Sequence, residues 1–120
     1  MRLLAPTLTV ALLLSACTGA APTIEEVTIV NGTAYDLEVE IAAEDGDAWL
    51  PLARVGAGTE GSALEVIDQG DAWVFRFRHW GEPVGEVTLT RGELEEVGWS
   101  VEVPAEIAER LEDLGRPTDG

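Results

Sequence analysis

The sequence predicts a small, mainly β protein built as a sandwich of about seven strands. Two patterns in the 120-residue chain indicate this: short segments with alternating apolar and polar residues, and turn residues that separate those segments at regular intervals. The chain length fits one compact domain.

The first three predicted strands are bounded by turn residues. Residues 27–29 alternate before Asn31-Gly32, a dipeptide typical of tight turns because both residues tolerate positive φ. In residues 37–41 the apolar positions alternate with acidic ones, so one face of this strand is expected in the core and the other in water. Residues 49–55 predict a third strand, in which Pro51 is typical of an edge strand or a bulge.

Four further segments complete the predicted strands. Residues 64–66 belong to the fourth strand, and residues 72–80, the most apolar segment, are expected to form a central fifth strand. Residues 84–90 follow a Gly-Glu-Pro turn. Residues 99–103 alternate again and predict the last strand.

Two helices are predicted from their end signals. Thr90 and Glu93 have the spacing of a capping box, and Gly98 closes a helix of about two turns. Pro104 is placed to begin a C-terminal helix that Gly115 ends. One face of that helix is apolar and consists of Ile107, Leu111 and Leu114.

These strands and helices occupy residues 24–115. Their number and spacing best fit an immunoglobulin- or fibronectin-like sandwich, and a small barrel is the alternative. Residues 116–120 are expected to be a disordered tail.

The start of the chain reads as an export signal. Arg2 precedes an apolar run, residues 8–14, that is too short to cross a bilayer as a helix. The run ends in Leu14-Ser15-Ala16-Cys17, and here the sequence resembles a bacterial lipoprotein precursor. The resemblance implies that residues 1–16 are a signal peptide, that cleavage precedes Cys17, and that Cys17 carries lipid. The alternative is an ordinary signal peptide or an uncleaved anchor, with Cys17 an incidental thiol.

The same resemblance predicts where the mature chain resides. Residues 17–23 would form the lipidated cysteine and a short linker, and acylated Cys17 would hold the domain at the bilayer outside the cytoplasm. The organism decides whether this is the cell membrane or the outer membrane.

Composition excludes several classes of function. The chain has 7 basic against 23 acidic residues, a net charge of −16, which argues against nucleic-acid binding because that binding needs Lys and Arg to neutralise phosphates. With one Cys and one His, neither a protein zinc site nor a disulfide framework is expected. No cofactor or metal is expected.

Arg76, Arg78 and Trp80 form the predicted binding surface. The two arginines alternate on one strand, next to the tryptophan, and guanidinium groups bind carboxylates and other anions through paired hydrogen bonds. The alternative is cross-strand pairing of both arginines with Glu or Asp.

His79, the only histidine, is expected on the core face of its strand. No hydroxyl residue nearby lies in a nucleophile motif, so no catalytic residue is predicted and the chain is not expected to be an enzyme. Residues 56–61 match the expression G-x-G-x-x-G, but a strand rather than a helix follows, so we interpret them as an interstrand loop.

The sequence therefore predicts a membrane-anchored lipoprotein that acts as a non-catalytic binding or accessory module for an envelope protein or ligand. Two alternatives stay open. One is a small envelope hydrolase that uses His79. The other is a calcium-responsive module that uses the acidic turns at residues 44–47 and 68–71.

Overall fold

The alternating segments form seven strands in a computed structural model that describes residues 21–120. The strands are β1 (Thr23–Val30), β2 (Leu37–Ala43), β3 (Leu50–Val55), β4 (Glu60–Ile67), β5 (Ala72–His79), β6 (Glu82–Thr90) and β7 (Ser100–Glu102). The helices are α1 (Arg91–Glu96) and α2 (Ala105–Asp113). The predicted signal peptide and Cys17 lie outside the described residues.

The strands form two sheets, and the predicted small β-sandwich is confirmed. One sheet has the order β4-β1-β7 and the other β3-β2-β5-β6. All neighbours are antiparallel except β1 and β7. In immunoglobulin notation, β6-β5-β2-β3 correspond to strands G-F-C-C′ and β1-β4 to strands B-E. Strand β7 takes the place of strand A, but it arrives from the C-terminal part of the chain through α1 and runs parallel to β1.

The core lies between the inner faces of the two sheets, as the alternation predicts. Strand β5 supplies the largest side chains, Trp73, Phe75 and Phe77, each fully buried, and thus has the central position expected of the most apolar segment. Strands β1 and β2 contribute apolar residues at alternate positions, namely Val27, Ile29, Leu37, Val39 and Ile41. The outward positions of β2, including Glu38 and Glu40, are left for polar contacts.

The tight turn predicted at Asn31-Gly32 is wrong. Strands β1 and β2 belong to different sheets, and neither Asn31 nor Gly32 has a positive φ. Asn31 instead lies in the crossing between the sheets, only 1% exposed. Its Nδ2 donates to the carbonyls of Tyr35 (2.7 Å), Val55 (3.1 Å) and Gly56 (3.2 Å). A buried amide therefore joins the end of β1 to the end of β3.

Both predicted helices are present. The capping box of α1 is complete, since Thr90 Oγ1 accepts from the Glu93 N–H and the Glu93 carboxylate accepts from the Thr90 N–H. Helix α2 buries Ile107 and Leu111, but Leu114 is exposed because the helix ends at Asp113 and Leu114 is its C-cap. Within residues 21–120, neither helix is long and apolar enough to span a bilayer.

Candidate functional site

Residues 116–120, called the tail below, pack against one end of the sandwich. The Asp119 N–H donates to the Ala34 carbonyl (2.8 Å), and Asp119 Oδ2 accepts from the Asp36 N–H (3.0 Å). The sequence predicted a disordered tail here, and the structure differs because the partners of the tail lie 34 or more residues earlier in the chain. No local sequence pattern signals such a contact.

His79 ties the tail to the end of β5. The ring is fully buried, and its Nδ1 lies 2.8 Å from Arg116 Nη1 while its Nε2 lies 2.9 Å from Asp119 Oδ2. A guanidinium has no acceptor, so Nδ1 accepts the hydrogen bond and the ring proton is on Nε2. The Nε2–H group of His79 therefore donates to Asp119 Oδ2. This bond from His79, together with the bond from the Asp36 N–H, holds the pKa of the Asp119 carboxyl below its ordinary value.

The same geometry bears on the hydrolase alternative. Within residues 21–120, neither ring nitrogen of His79 has a hydroxyl or thiol as a hydrogen-bond partner. Both nitrogens are used to hold the tail, and the ring is shielded from solvent. The role that these contacts describe is structural.

Trp80 follows His79 and occupies the turn between β5 and β6. It is 62% exposed and has φ +53°, and Gly81 after it has φ +78°. Two positive φ values in succession are typical of a type I′ turn, where Asn, Asp and Gly are favoured. A left-handed conformation costs a side-chain-bearing residue about 1–2 kcal/mol. A large aromatic residue is thus held at a position that favours small polar ones.

One face of Trp80 is covered and the other is open. The His79 ring stacks on the indole at 4.7 Å, and the Arg116 guanidinium lies 4.9 Å from the indole centroid. Since Arg116 and His79 are hydrogen-bonded side by side, both lie over the same face of the indole. The opposite face accounts for the exposure of the residue.

Trp80 borders a surface groove of about 450 Å³, which we call the Trp80 groove. Three carboxylates and one guanidinium also line it, from Asp36, Glu38, Asp119 and Arg54. The Arg54 guanidinium lies 3.3 Å from the Glu38 carboxylate. The groove is therefore mainly acidic, with an aromatic ring at its border.

Arg76 and Arg78 lie on the outer face of the four-stranded sheet, one strand away from Glu40. Glu40 Oε1 is 2.9 Å from Arg76 Nε and 3.4 Å from Arg78 Nη1, and Arg78 also donates to the Gly81 carbonyl. The Arg76 guanidinium covers the ring of Trp49 at 3.9 Å. The structure thus shows the cross-strand pairing considered above, and it places Trp80 at the end of the sandwich with the tail.

The two regions adjoin each other. A smaller hollow of about 290 Å³ beside Arg78 and Glu40 shares Glu38 and Arg54 with the Trp80 groove. Sequence analysis singled out Trp80 and Arg78 along this surface. It missed Asp36, Glu38 and Asp119, of which only Glu38 carries a signal, the outward position on an alternating strand.

The other motifs have structural roles. Residues 56–59 connect β3 to β4, residues 60–61 of the motif already belong to β4, and a strand rather than a helix follows the loop, as expected. Asp68 accepts from Arg91 and from the Gly70 N–H, and the Arg91 hydrogen bond lowers the pKa of Asp68. In the part of the chain that the structure describes, no three His, Cys, Asp or Glu side chains are grouped closely enough to hold a metal ion.

Comparison of the chain with known protein families, with characterised proteins and with solved structures gives no match. The function is therefore argued from the site itself.

Proposed function

We propose that the protein is a lipid-anchored, extracytoplasmic binding module, non-catalytic, whose binding site is the Trp80 groove. One observation carries the proposal: an exposed tryptophan has a left-handed turn conformation, and one face of its ring packs against buried His79 and against Arg116 of the tail. Strained residues persist only where the surrounding structure enforces them, and they cluster at functional sites. Exposed tryptophans are also among the residues that dominate binding energy at interfaces.

Arg78 lines the hollow that adjoins the Trp80 groove, and both Arg76 and Arg78 are paired with Glu40. Their role in the proposal is to shape the sheet face beside the groove. Trp80 supplies the side chain that a partner would contact first.

The anchor is proposed from Leu14-Ser15-Ala16-Cys17, which resembles the processing site of bacterial lipoproteins. Acylated Cys17 would hold the domain at the outer face of the cell membrane or at the outer membrane. An envelope protein or an extracellular ligand is the partner that this location favours.

The test is affinity capture of the full-length chain from membranes in mild detergent, with mass spectrometry of the copurifying proteins. Four forms are compared: wild type, Trp80→Asn, Val97→Asn and Cys17→Ala. Val97→Asn is the matched control, since it removes an exposed apolar side chain elsewhere on the surface. Asn suits the left-handed turn, so Trp80→Asn should keep the fold.

We expect a stoichiometric partner with wild type and with Val97→Asn, and its loss from Trp80→Asn. We also expect mass spectrometry to find a lipid on Cys17 of the wild-type chain and none on Cys17→Ala. Equal capture by Trp80→Asn would refute the Trp80 groove as the binding site. A wild-type Cys17 without lipid would refute the lipid anchor.

A further inference from the structure

We infer that the Trp80 groove takes an extended polypeptide segment that carries arginine or lysine, with one cationic side chain seated on the open face of Trp80. The inference rests on the proposed function and names the chemical class of its partner.

The walls of the Trp80 groove carry more carboxylates than guanidinium groups. Asp36, Glu38 and Asp119 line it together with Arg54, and the Arg54 guanidinium pairs with Glu38. Asp36 uses Oδ1 to accept from the Ala57 N–H, and Asp119 uses Oδ2 for its two hydrogen bonds. Within residues 21–120, the second oxygen of each carboxylate accepts no hydrogen bond and can take a donor from a ligand. A cation entering here meets acceptors that the fold leaves open.

Arginine side chains lie over the indole rings of three tryptophans in this protein. Arg76 lies 3.9 Å from the Trp49 centroid, and Arg91 lies 5.8 Å from that of Trp99. Arg116 lies 4.9 Å from Trp80, on the face that His79 shares. Cations are attracted to the faces of indole rings, and most strongly where water is excluded. The open face of Trp80 is a second platform of the same kind, and within residues 21–120 no further arginine lies over this ring.

The shape of the surface favours a polypeptide over a small cation. A second hollow, lined by Glu40, Pro51 and Arg78, adjoins the Trp80 groove across Glu38 and Arg54. A single small cation would fill only one of the two hollows. An extended segment can place one cationic side chain on Trp80 and its backbone along the rest.

The overall charge acts in the same direction, but it is not specific. Residues 21–120 hold all 23 carboxylates and six arginines, so any cationic peptide is attracted. The test must therefore separate contact at Trp80 from diffuse attraction.

The test measures binding of a synthetic ten-residue peptide of alternating Arg and Ser, with blocked ends, to the full-length chain in mild detergent by calorimetry. The same peptide with citrulline in place of arginine keeps the side-chain shape and removes the charge. Trp80→Asn removes the platform without changing the protein charge. Asp45→Asn removes one exposed carboxylate from the β2–β3 turn at the other end of the sandwich.

We expect the arginine peptide to bind wild type, with affinity at least about fivefold lower for Trp80→Asn and within about twofold of wild type for Asp45→Asn. We expect the citrulline peptide not to bind. Equal affinity for wild type and Trp80→Asn, equal binding of both peptides, or no binding of either would overturn the inference. A captured partner that depends on Trp80 while the arginine peptide does not bind would leave the proposed function standing and refute only this inference.

Discussion

Asn31 shows at the level of one residue how a buried polar group connects distant strands. Its Nδ2 donates to three carbonyls and its Oδ1 accepts from the Thr33 N–H and hydroxyl. Asn31→Asp keeps the acceptor but removes the donor and sets a carboxylate against the carbonyls of Tyr35, Val55 and Gly56. Buried groups left unpaired are costly, so we expect the free energy of unfolding to fall by about 3 kcal/mol, measured by urea denaturation.

The matched control is Gln69→Glu, the same chemical change at a more accessible amide whose one side-chain hydrogen bond goes to the Ile67 carbonyl. We expect this control to lower the free energy of unfolding by about 1 kcal/mol or less. Equal effects of the two substitutions would show that the buried amide contributes nothing special.

For single residues, the sequence predicts which face of a strand a side chain occupies better than it predicts which residue that side chain contacts. Alternation along β2 and β5 placed Ile41 and Phe75 in the core and Arg76 outside, because side chains alternate between the two faces of a strand. The same rule cannot show that Asn31 turns inward or that His79 meets Asp119. Those contacts depend on chain crossings that no local pattern encodes.

Among the elements of the fold, the tail is the one whose packing depends most clearly on a single charge, that of Asp119. Asp119 accepts from His79 and Asp36, so its pKa lies below the ordinary value of about 3.9. A lowered pKa means that the contribution of Asp119 is fully present above the ordinary pKa and is lost as pH falls through the lower, folded-state value. We therefore expect the contribution of Asp119 to the packing of the tail to weaken below the ordinary pKa and to be lost as pH falls through the lowered, folded-state pKa. Hydrogen exchange of the Asp119 N–H, which donates to Ala34, reports this.

Asp119→Asn should show fast exchange of the residue 119 amide already at pH 7. Asp113→Asn, at the exposed C-terminal end of α2, is the control and should leave that amide protected. Continued protection in Asp119→Asn at pH 7 would mean that the backbone contacts alone hold the tail.

Element predictions succeeded where the end signals are local. The capping box of α1 and the apolar face of α2 involve residues three or four apart, so they are visible in the sequence. The crossing at Asn31-Gly32 was mistaken for a hairpin turn because the dipeptide signals a turn type but not which sheet the next strand joins. The tail was expected to be disordered because it has no periodic pattern of its own.

For the whole molecule, the strand order separates two ends of the sandwich. Thr23 begins β1 and pairs with Ile67, whereas Val30 ends β1 and pairs with Glu60. Arg78 near the end of β5 pairs with Glu38 at the start of β2, and Glu38 lines the Trp80 groove. Since β2 begins shortly after Val30 ends β1, the groove lies at the Val30 end of the sandwich. The two ends of β1 are about 23 Å apart at 3.3 Å per residue. Composition predicted one acidic domain. Which end of the sandwich carries the groove follows only from the pairing of distant strands.

If Cys17 is lipidated as proposed, the Thr23 end faces the bilayer. The chain from Cys17 to Thr23 reaches at most about 20 Å, so the Trp80 groove would point away from the membrane towards a partner in the surrounding space. Two exposed positions on β4 test this, Ile67 at the near end and Glu60 at the far end. Fluorophores are attached to Ile67→Cys and Glu60→Cys chains in vesicles that carry a quencher on the lipid headgroups.

We expect clearly stronger quenching at residue 67 than at residue 60, because headgroup quenchers act over distances shorter than the length of β1. The same labelled chains in vesicles without the quencher are the control and should show no difference between the two positions. Equal quenching of both labels in the anchored chain would mean that the domain lies flat on the bilayer. The Trp80 groove would then have to meet its partner at the membrane surface. The flat orientation would also bring more of the 23 carboxylates of the domain close to the bilayer, and an anionic bilayer would oppose it.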